Sequence, residues 1–294
     1  MSSRADVPLR TALAMFAFAG NSLLCRAALQ PRELDAASFT LIRIVAGAIF
    51  LAWLLRRRAG DTPTRVGDAI SALALWSYAA AFSFAYLGLT AATGALILFG
   101  SVQLTMTGVG LARGERISAR QTLGFVLAAA GLVYLLLPGV AAPGWASATL
   151  MVLAGVAWGV YSLRGRGSRD ALANTAGNFA RAVLPAALLS LVAALFFGSL
   201  TFDMSSPGAW HAVAAAVASG ALASGAGYAV WYSVLPRISA TQAAAVQLCV
   251  PVLAALGGVL FLGESLGWRL VIAAVVVLGG VALVSLSPQR APSA

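Results

Sequence analysis

Charged residues interrupt the chain at intervals, leaving ten long apolar stretches between short polar gaps. Crossing about 30 Å of hydrocarbon takes roughly 20 helical residues. The stretches that fit are Leu9–Leu29, Ala36–Leu55, Ala69–Leu89, Ala91–Ala112, Thr122–Leu137, Trp145–Leu163, Asn174–Phe197, Trp210–Leu235, Ala240–Leu262 and Leu266–Leu286. Backbone polar groups in lipid must bond within their own segment, so each run is predicted as a helix. No segment between them reads as a soluble domain. The pattern predicts an all-α integral membrane protein with ten transmembrane helices.

Polar and aromatic positions inside the runs form faces. Helix three carries Tyr78, Phe82 and Tyr86 at i, i+4 and i+8, and helix eight carries Ser224, Tyr228 and Tyr232 at the same spacing. Such residues share one side of a helix, and in lipid they need protein or water beside them. Trp158 and Tyr161 in helix six stand opposite Asn21 and Ser22 in helix one. Phe99, Gln103 and Thr105 lie in helix four, and Gln242 and Gln247 in helix nine. Together they outline an aromatic cavity with few polar anchors. The candidate binding residues are Asn21, Tyr78, Phe82, Phe99, Gln103, Trp158, Tyr161, Tyr228, Tyr232, Gln242 and Gln247. The bland alternative is that these aromatics are helix packing or interface anchors and that the amides bridge helices. Gly124 and Gly131 in helix five, with Gly279 and Gly280 in helix ten, read as scaffold with a lipid-facing or dimer surface.

Composition fits lipid as the solvent: of 294 residues, 61% are apolar and 10% charged, against about a quarter charged in soluble domains. All nineteen basic residues behind the net charge of +10 are Arg, and most sit in short gaps, a topology signal that requires no nucleic-acid partner. With the N-terminus in the cytoplasm, fourteen Arg fall inside: Arg4, Arg10, Arg56, Arg57, Arg58, Arg65, Arg113, Arg116, Arg120, Arg164, Arg166, Arg169, Arg237 and Arg290. Only Arg26, Arg32 and Arg269 fall outside. The bias places both termini in the cytoplasm of a multi-pass protein in the bacterial inner membrane. The first run lacks a clear cleavage site and reads as a retained helix. Arg43 and Arg181 lie within helices two and seven, each snorkelling, capping a neighbouring helix or meeting a substrate carboxylate.

These two arginines also expose a repeat. Leu41-Ile42-Arg43 recurs as Phe179-Ala180-Arg181 at a shift of 138, and Ala19-Gly20 as Trp158-Gly159 at 139. Tyr86 to Leu89 matches Tyr232 to Leu235 at 146, and Gly114-Glu115 matches Gly263-Glu264 at 149. Residues 1–140 and 141–294 are thus expected to be five-helix repeats. An odd helix number makes the second copy inverted, as in secondary transporters with a midplane site. Over essentially its whole length the sequence resembles the drug/metabolite transporter superfamily, EamA type. The duplicated unit, the paired Arg, the paired Gly-Glu, Pro251 before Leu262-Gly263-Glu264, and Gly279-Gly280 carry the resemblance. It implies a transporter similar to bacterial exporters of aromatic and other amino acids, as monomer or homodimer, with no cofactor. Val102 stands where a mate of Pro251 would be, so Pro251 is a hinge candidate that would make the halves unequal.

None of the acidic residues falls in mid-span, and the lone His211 opens helix eight. Proton relays in membranes use such groups, so facilitated export by alternating access is expected. A multidrug exporter would use the same cavity. An intramembrane enzyme is the rival of another class, but one His supplies no metal cluster, and His211 and Ser219 are about 12 Å apart along a helix. A channel would show a filter element or charge ring. Glu115 and Glu264 are expected to pair with Arg or cap helices five and ten.

Overall fold

A computed structural model describes residues 6–30, 33–58, 67–112, 118–137, 142–165, 168, 170–197, 206–238, 246–247 and 249–285. Among them the chain forms ten helical rods and no strand. They are α1 (Asp6–Leu29), α2 (Ala36–Arg57), α3 (Ala69–Ala85), α4 (Ala91–Ala112), α5 (Ala119–Leu136), α6 (Trp145–Gly165), α7 (Ala171–Phe197), α8, α9 (Cys249–Leu262) and α10 (Trp268–Ser285). The rod α8 runs Pro207–Ala218, widens into a π-helical segment Ser219–Ala226, and resumes over Gly227–Val234. Seven rods are long and apolar enough to span a membrane alone, and α3, α9 and α10 are shorter apolar helices.

Local chemistry sets several ends away from the expected positions. Helix α3 stops at Ala85 because Tyr86 caps it. The Tyr86 ring packs where a Cβ on Gly94 would stand, and its hydroxyl donates to the Ala91 carbonyl at 3.3 Å. Helix α5 begins three residues early, at Ala119, through a reciprocal capping box between Ser118 and Gln121. Helix α7 begins at Ala171, where Asp170 accepts from the Ala173 N–H at 3.1 Å, and it holds an internal Pro185. The start expected for α9 at Ala240 lies outside the described residues.

The rods pair in a reciprocal pattern: α3 with α6 and α8 with α1, α4 with α6 and α9 with α1, α2 with α7, α5 with α10. In lipid such pairing rests on close packing, since tails are as apolar as side chains. Small residues supply it. A Cβ on Gly131 would meet Val277, and one on Gly280 would meet the backbone of Gly124 and Ala128. Three of the four glycines read from sequence as a lipid-facing or dimer surface therefore join α5 to α10 within one chain. A Cβ on Gly279, the fourth, would meet open space.

Apolar side chains on the outer faces, such as Leu9, Phe16, Ile49, Leu184, Leu195, Phe261 and Val275, stand exposed. This is the surface lipid would cover. Trp145, Trp210 and Trp268 stand exposed in the first turns of α6, α8 and α10. Alternating passes put those three turns at the same end, where an aromatic belt belongs.

Candidate functional site

The aromatic faces of α1, α3, α6 and α8 converge in the middle of the bundle. Phe18, Asn21, Tyr78, Phe82, Leu98, Phe99, Trp158 and Tyr228 line one gap. Trp158 lies 4.9 Å from the Tyr78 ring and 4.8 Å from the Tyr228 ring, and Phe18 lies 5.9 Å from Tyr228. These separations are those of attractive aromatic pairs. The gap measures about 10 Å³, room for one water at most. Six of the candidate residues thus meet: Asn21, Tyr78, Phe82, Phe99, Trp158 and Tyr228.

A buried polar chain runs behind these rings. The Ser219 hydroxyl donates to Asn21 Oδ1 at 2.6 Å, and Asn21 Nδ2 donates to the Tyr78 hydroxyl at 3.1 Å. Arg43 Nη2 donates to the same hydroxyl at 3.1 Å, and Arg43 Nε donates to Ser224 at 3.2 Å. The guanidinium carbon lies 5.1 Å from the Tyr78 ring centre and 5.0 Å from that of Phe82, within cation–π range. Arg43 is 1% exposed, and the ion pairs of the described residues do not include it. The chain ties α8, α1, α3 and α2 together.

Helix α8 can join at two points because of its π segment. An i→i+5 turn brings Ser219 and Ser224 to one side, where a regular helix would bring i+4. Such bulges recur at functional sites. Gly220, inside it, meets the Arg43 backbone so closely that a Cβ would overlap the Arg43 carbonyl.

The other candidates lie elsewhere. Gln103 and Gln247 border a second gap with Phe99 and the α10 residues Val277, Leu278 and Val281. Tyr161 is buried, its ring 5.6 Å from Trp158, but it does not line the gap. Tyr232 lies beside Tyr161 and against Gly165. Gln242 lies outside the described residues. Pro251 is buried in the first turn of α9. Of the two intrahelical arginines, only Arg43 turns inward; Arg181 is exposed and bonds the Gly177 carbonyl one turn back at 3.2 Å. His211 is exposed, with Nδ1 2.7 Å from the Pro207 carbonyl, whereas Ser219 is buried in the network.

Ion pairs tie both ends of the bundle. At the end away from Asp6, Arg26 Nε meets Glu264 Oε1 at 3.1 Å, and Glu264 Oε2 accepts from the Ala91 N–H at 2.8 Å. Glu264 therefore pairs with Arg as expected, but it caps α4 and not the tenth helix. Glu115 lies outside the described residues, as do Asp61, Asp203, Arg4, Arg32, Arg65, Arg113, Arg116, Arg166, Arg169 and Arg290. At the other end, Arg58 pairs with Asp170, Arg164 with Asp68, and Arg10 and Arg237 with Asp6. Partial burial alone would raise the Asp68 pKa. Hydrogen bonds from Ser71 and then from Arg164 outweigh it and hold the carboxyl below its ordinary value.

Residues 145–286, which span α6 to α10, match the EamA-like transporter family. A protein of Pseudomonas aeruginosa described as uncharacterized is 56% identical over 282 residues, covering 96% of this chain and 94% of the other. The chain belongs to the EamA-like transporter family. It is accordingly a multi-pass membrane transporter of small molecules. A crystal structure 20% identical, with 96% of each chain covered, aligns at a TM-score of 0.65 and speaks for the fold alone.

For this EamA-like transporter the sequence missed Phe18, Ser219 and the inward turn of Arg43 as parts of the central cluster. Phe18 could have been found, since it lies three residues before Asn21 on the same face of α1. Ser219 could not, because regular helical spacing does not align it with Ser224.

Proposed function

We propose that this EamA-like transporter exports neutral, chiefly aromatic, amino acids across the bacterial inner membrane. Transport proceeds by alternating access and without a co-transported proton. The observation that carries this reading is the ring-lined gap of Phe18, Tyr78, Phe82, Trp158 and Tyr228, backed by one polar chain. Aromatic walls take an apolar or aromatic side chain, and the few polar groups take the charged backbone end of the cargo.

Two inverted five-helix halves, residues 1–140 and 141–294, would rock about this gap. The reciprocal pairing of the rods supports that arrangement: exchanging each helix of one half for its mate turns α3·α6 into α8·α1 and α4·α6 into α9·α1. The arginine bias supports a cytoplasmic N-terminus. With ion pairs at both ends and room for one water, the conformation is occluded, so entry requires helices to part at one end. Pro251 in α9 is the flexing point we favour.

The described acidic side chains sit at helix ends: Asp35 and Asp68 cap α2 and α3, and Glu264 is held by Arg26. That placement supports facilitated export. The test is flux in proteoliposomes across amino acids and cationic drugs, with and without an imposed pH gradient. Saturable flux of aromatic amino acids without a gradient is expected. Strict dependence on the gradient removes the facilitator reading, and flux of cations alone makes the protein a multidrug exporter.

A further inference from the structure

Among the described residues, Arg43 is a buried cation with an incompletely satisfied guanidinium. Its side chain is fully buried at mid-bundle, about 10 Å along the axis from the start of α2. A guanidinium carries five N–H donors. Ser224 and Tyr78 engage Nε and Nη2, while Nη1 has no hydrogen-bond partner. The Tyr228 hydroxyl is buried and likewise unsatisfied; it lies close to the Tyr78 hydroxyl without a well-formed bond. A buried charge without a counter-charge is costly unless something pairs it. Among the described residues, hydroxyls, rings and the Cys25 thiol stand around the guanidinium, with no carboxylate.

Position supplies the rest of the argument. The guanidinium sits over Tyr78 and Phe82, and both of those rings line the aromatic gap together with Tyr228. Tyr228 lines that gap, and Arg43 with its unused donor stands directly behind the Tyr78 and Phe82 rings that wall it, one ring away. Arg181, which the repeat sets opposite it, is exposed. Among the described residues, the cation next to this gap is therefore Arg43.

We infer that Arg43 is the anion anchor of the site, its Nη1 donating to the carboxylate of the cargo with the Tyr228 hydroxyl as second donor. The transporter then selects organic carboxylates with an apolar or aromatic body and rejects the same body without the acid. This rests on the amino-acid reading above and sharpens it, because it makes the carboxylate, and not the ammonium, the required group. Planar guanidinium–carboxylate pairing is the strongest form such an anchor takes.

The experiment is competition for efflux of labelled phenylalanine from proteoliposomes holding the full chain, using unlabelled phenylalanine, phenylacetate and phenylalaninamide. Phenylalanine and phenylacetate should both compete, and the amide should be weaker by about tenfold or more. Arg43→Gln should erase the difference between acid and amide, and Tyr228→Phe should narrow it. If Arg43→Gln does not fold, the wild-type comparison and Tyr228→Phe decide. An amide as effective as the acid, or a folded Arg43→Gln protein that keeps the acid preference, overturns the anchor while leaving amino-acid export standing. So does an amide-tolerant flux that needs chloride, since the free donor would then hold an inorganic ion. Absence of saturable flux for phenylalanine itself overturns the export reading and the anchor with it.

Discussion

Replacing Gly220 by Ala tests whether the π segment of α8 positions Arg43. A Cβ at residue 220 would overlap the carbonyl oxygen of Arg43 and stand 2.9 Å from its carbonyl carbon and Cα. All three are backbone atoms, so no rotamer change relieves the clash. Restoring ordinary contact requires α2 and α8 to separate by roughly 1 Å. Overpacking of this kind costs about 1–3 kcal/mol, less about 1 kcal/mol gained by removing a helical glycine. The same shift stretches the bond from Arg43 to Ser224, which stands at 3.2 Å. The expected outcome is a lower melting temperature in detergent and flux reduced by about tenfold. Gly20→Ala is the control, because a Cβ there meets nothing within 4 Å although its neighbour Asn21 lines the gap. Melting is followed by tryptophan fluorescence and flux in proteoliposomes. Equal behaviour of the two variants would refute the account of α2 and α8.

Three further outcomes follow from the geometry. Trp158→Ala removes the ring between Tyr78 and Tyr228 and should raise the half-saturating concentration for aromatic cargo about tenfold; unchanged saturation by a folded variant would remove Trp158 from the site. Glu264→Gln discharges the partner of Arg26, whose side chain is 17% exposed against 6% for Glu264. A loss of about 2 kcal/mol should loosen that end some thirtyfold and weaken hydrogen-exchange protection around Ala91, and full protection there would count against the latch. Asp68, held below its ordinary pKa, contributes stability above its unfolded value of about 3.9 that is lost only as pH falls through the lower folded value. Melting temperature should therefore show no step from this pair between about pH 5 and pH 8, and a midpoint there that vanishes in Asp68→Asn would contradict it.

Much of the fold was legible because lipid imposes a simple code: twenty apolar residues, then a charged gap. That code located the ten rods, and the period of aromatic residues along helix three located Tyr78 and Phe82 in the gap. What it misplaced depended on partners. Gly131 and Gly280 look alike as small residues on an apolar helix, but only the neighbouring chain segment shows that they mate α5 with α10. Tyr86 continues the spacing of Tyr78 and Phe82, yet the helix ends under it and its ring turns to Gly94. Gln103 and Gln247 share depth with the aromatic cluster but border another gap. The π turn has no periodic signature at all; only the structure shows it, with Gly220 against the Arg43 backbone.

The two arginines show why a repeat in sequence does not give a repeat in chemistry. Arg43 and Arg181 occupy matching motifs, and an intrahelical Arg costs roughly 2.5–3.5 kcal/mol wherever it is placed at the helix centre. The two positions meet that cost differently. Arg181 stays exposed and bonds a carbonyl of its own helix, a solution available to any arginine that snorkels. Arg43 is enclosed by α3 and α8, and Gly47 and Gly220 let the backbones come close enough to enclose it. Close packing there serves no stabilising purpose that an apolar residue would not serve better. A buried cation with an unused donor beside a ring-lined gap is retained at a cost to folding, and an anionic cargo is what would offset that cost at the moment of binding. If Arg43 is the anchor we infer, the cargo is held in a single orientation, with its acid toward α2 and its side chain against Trp158.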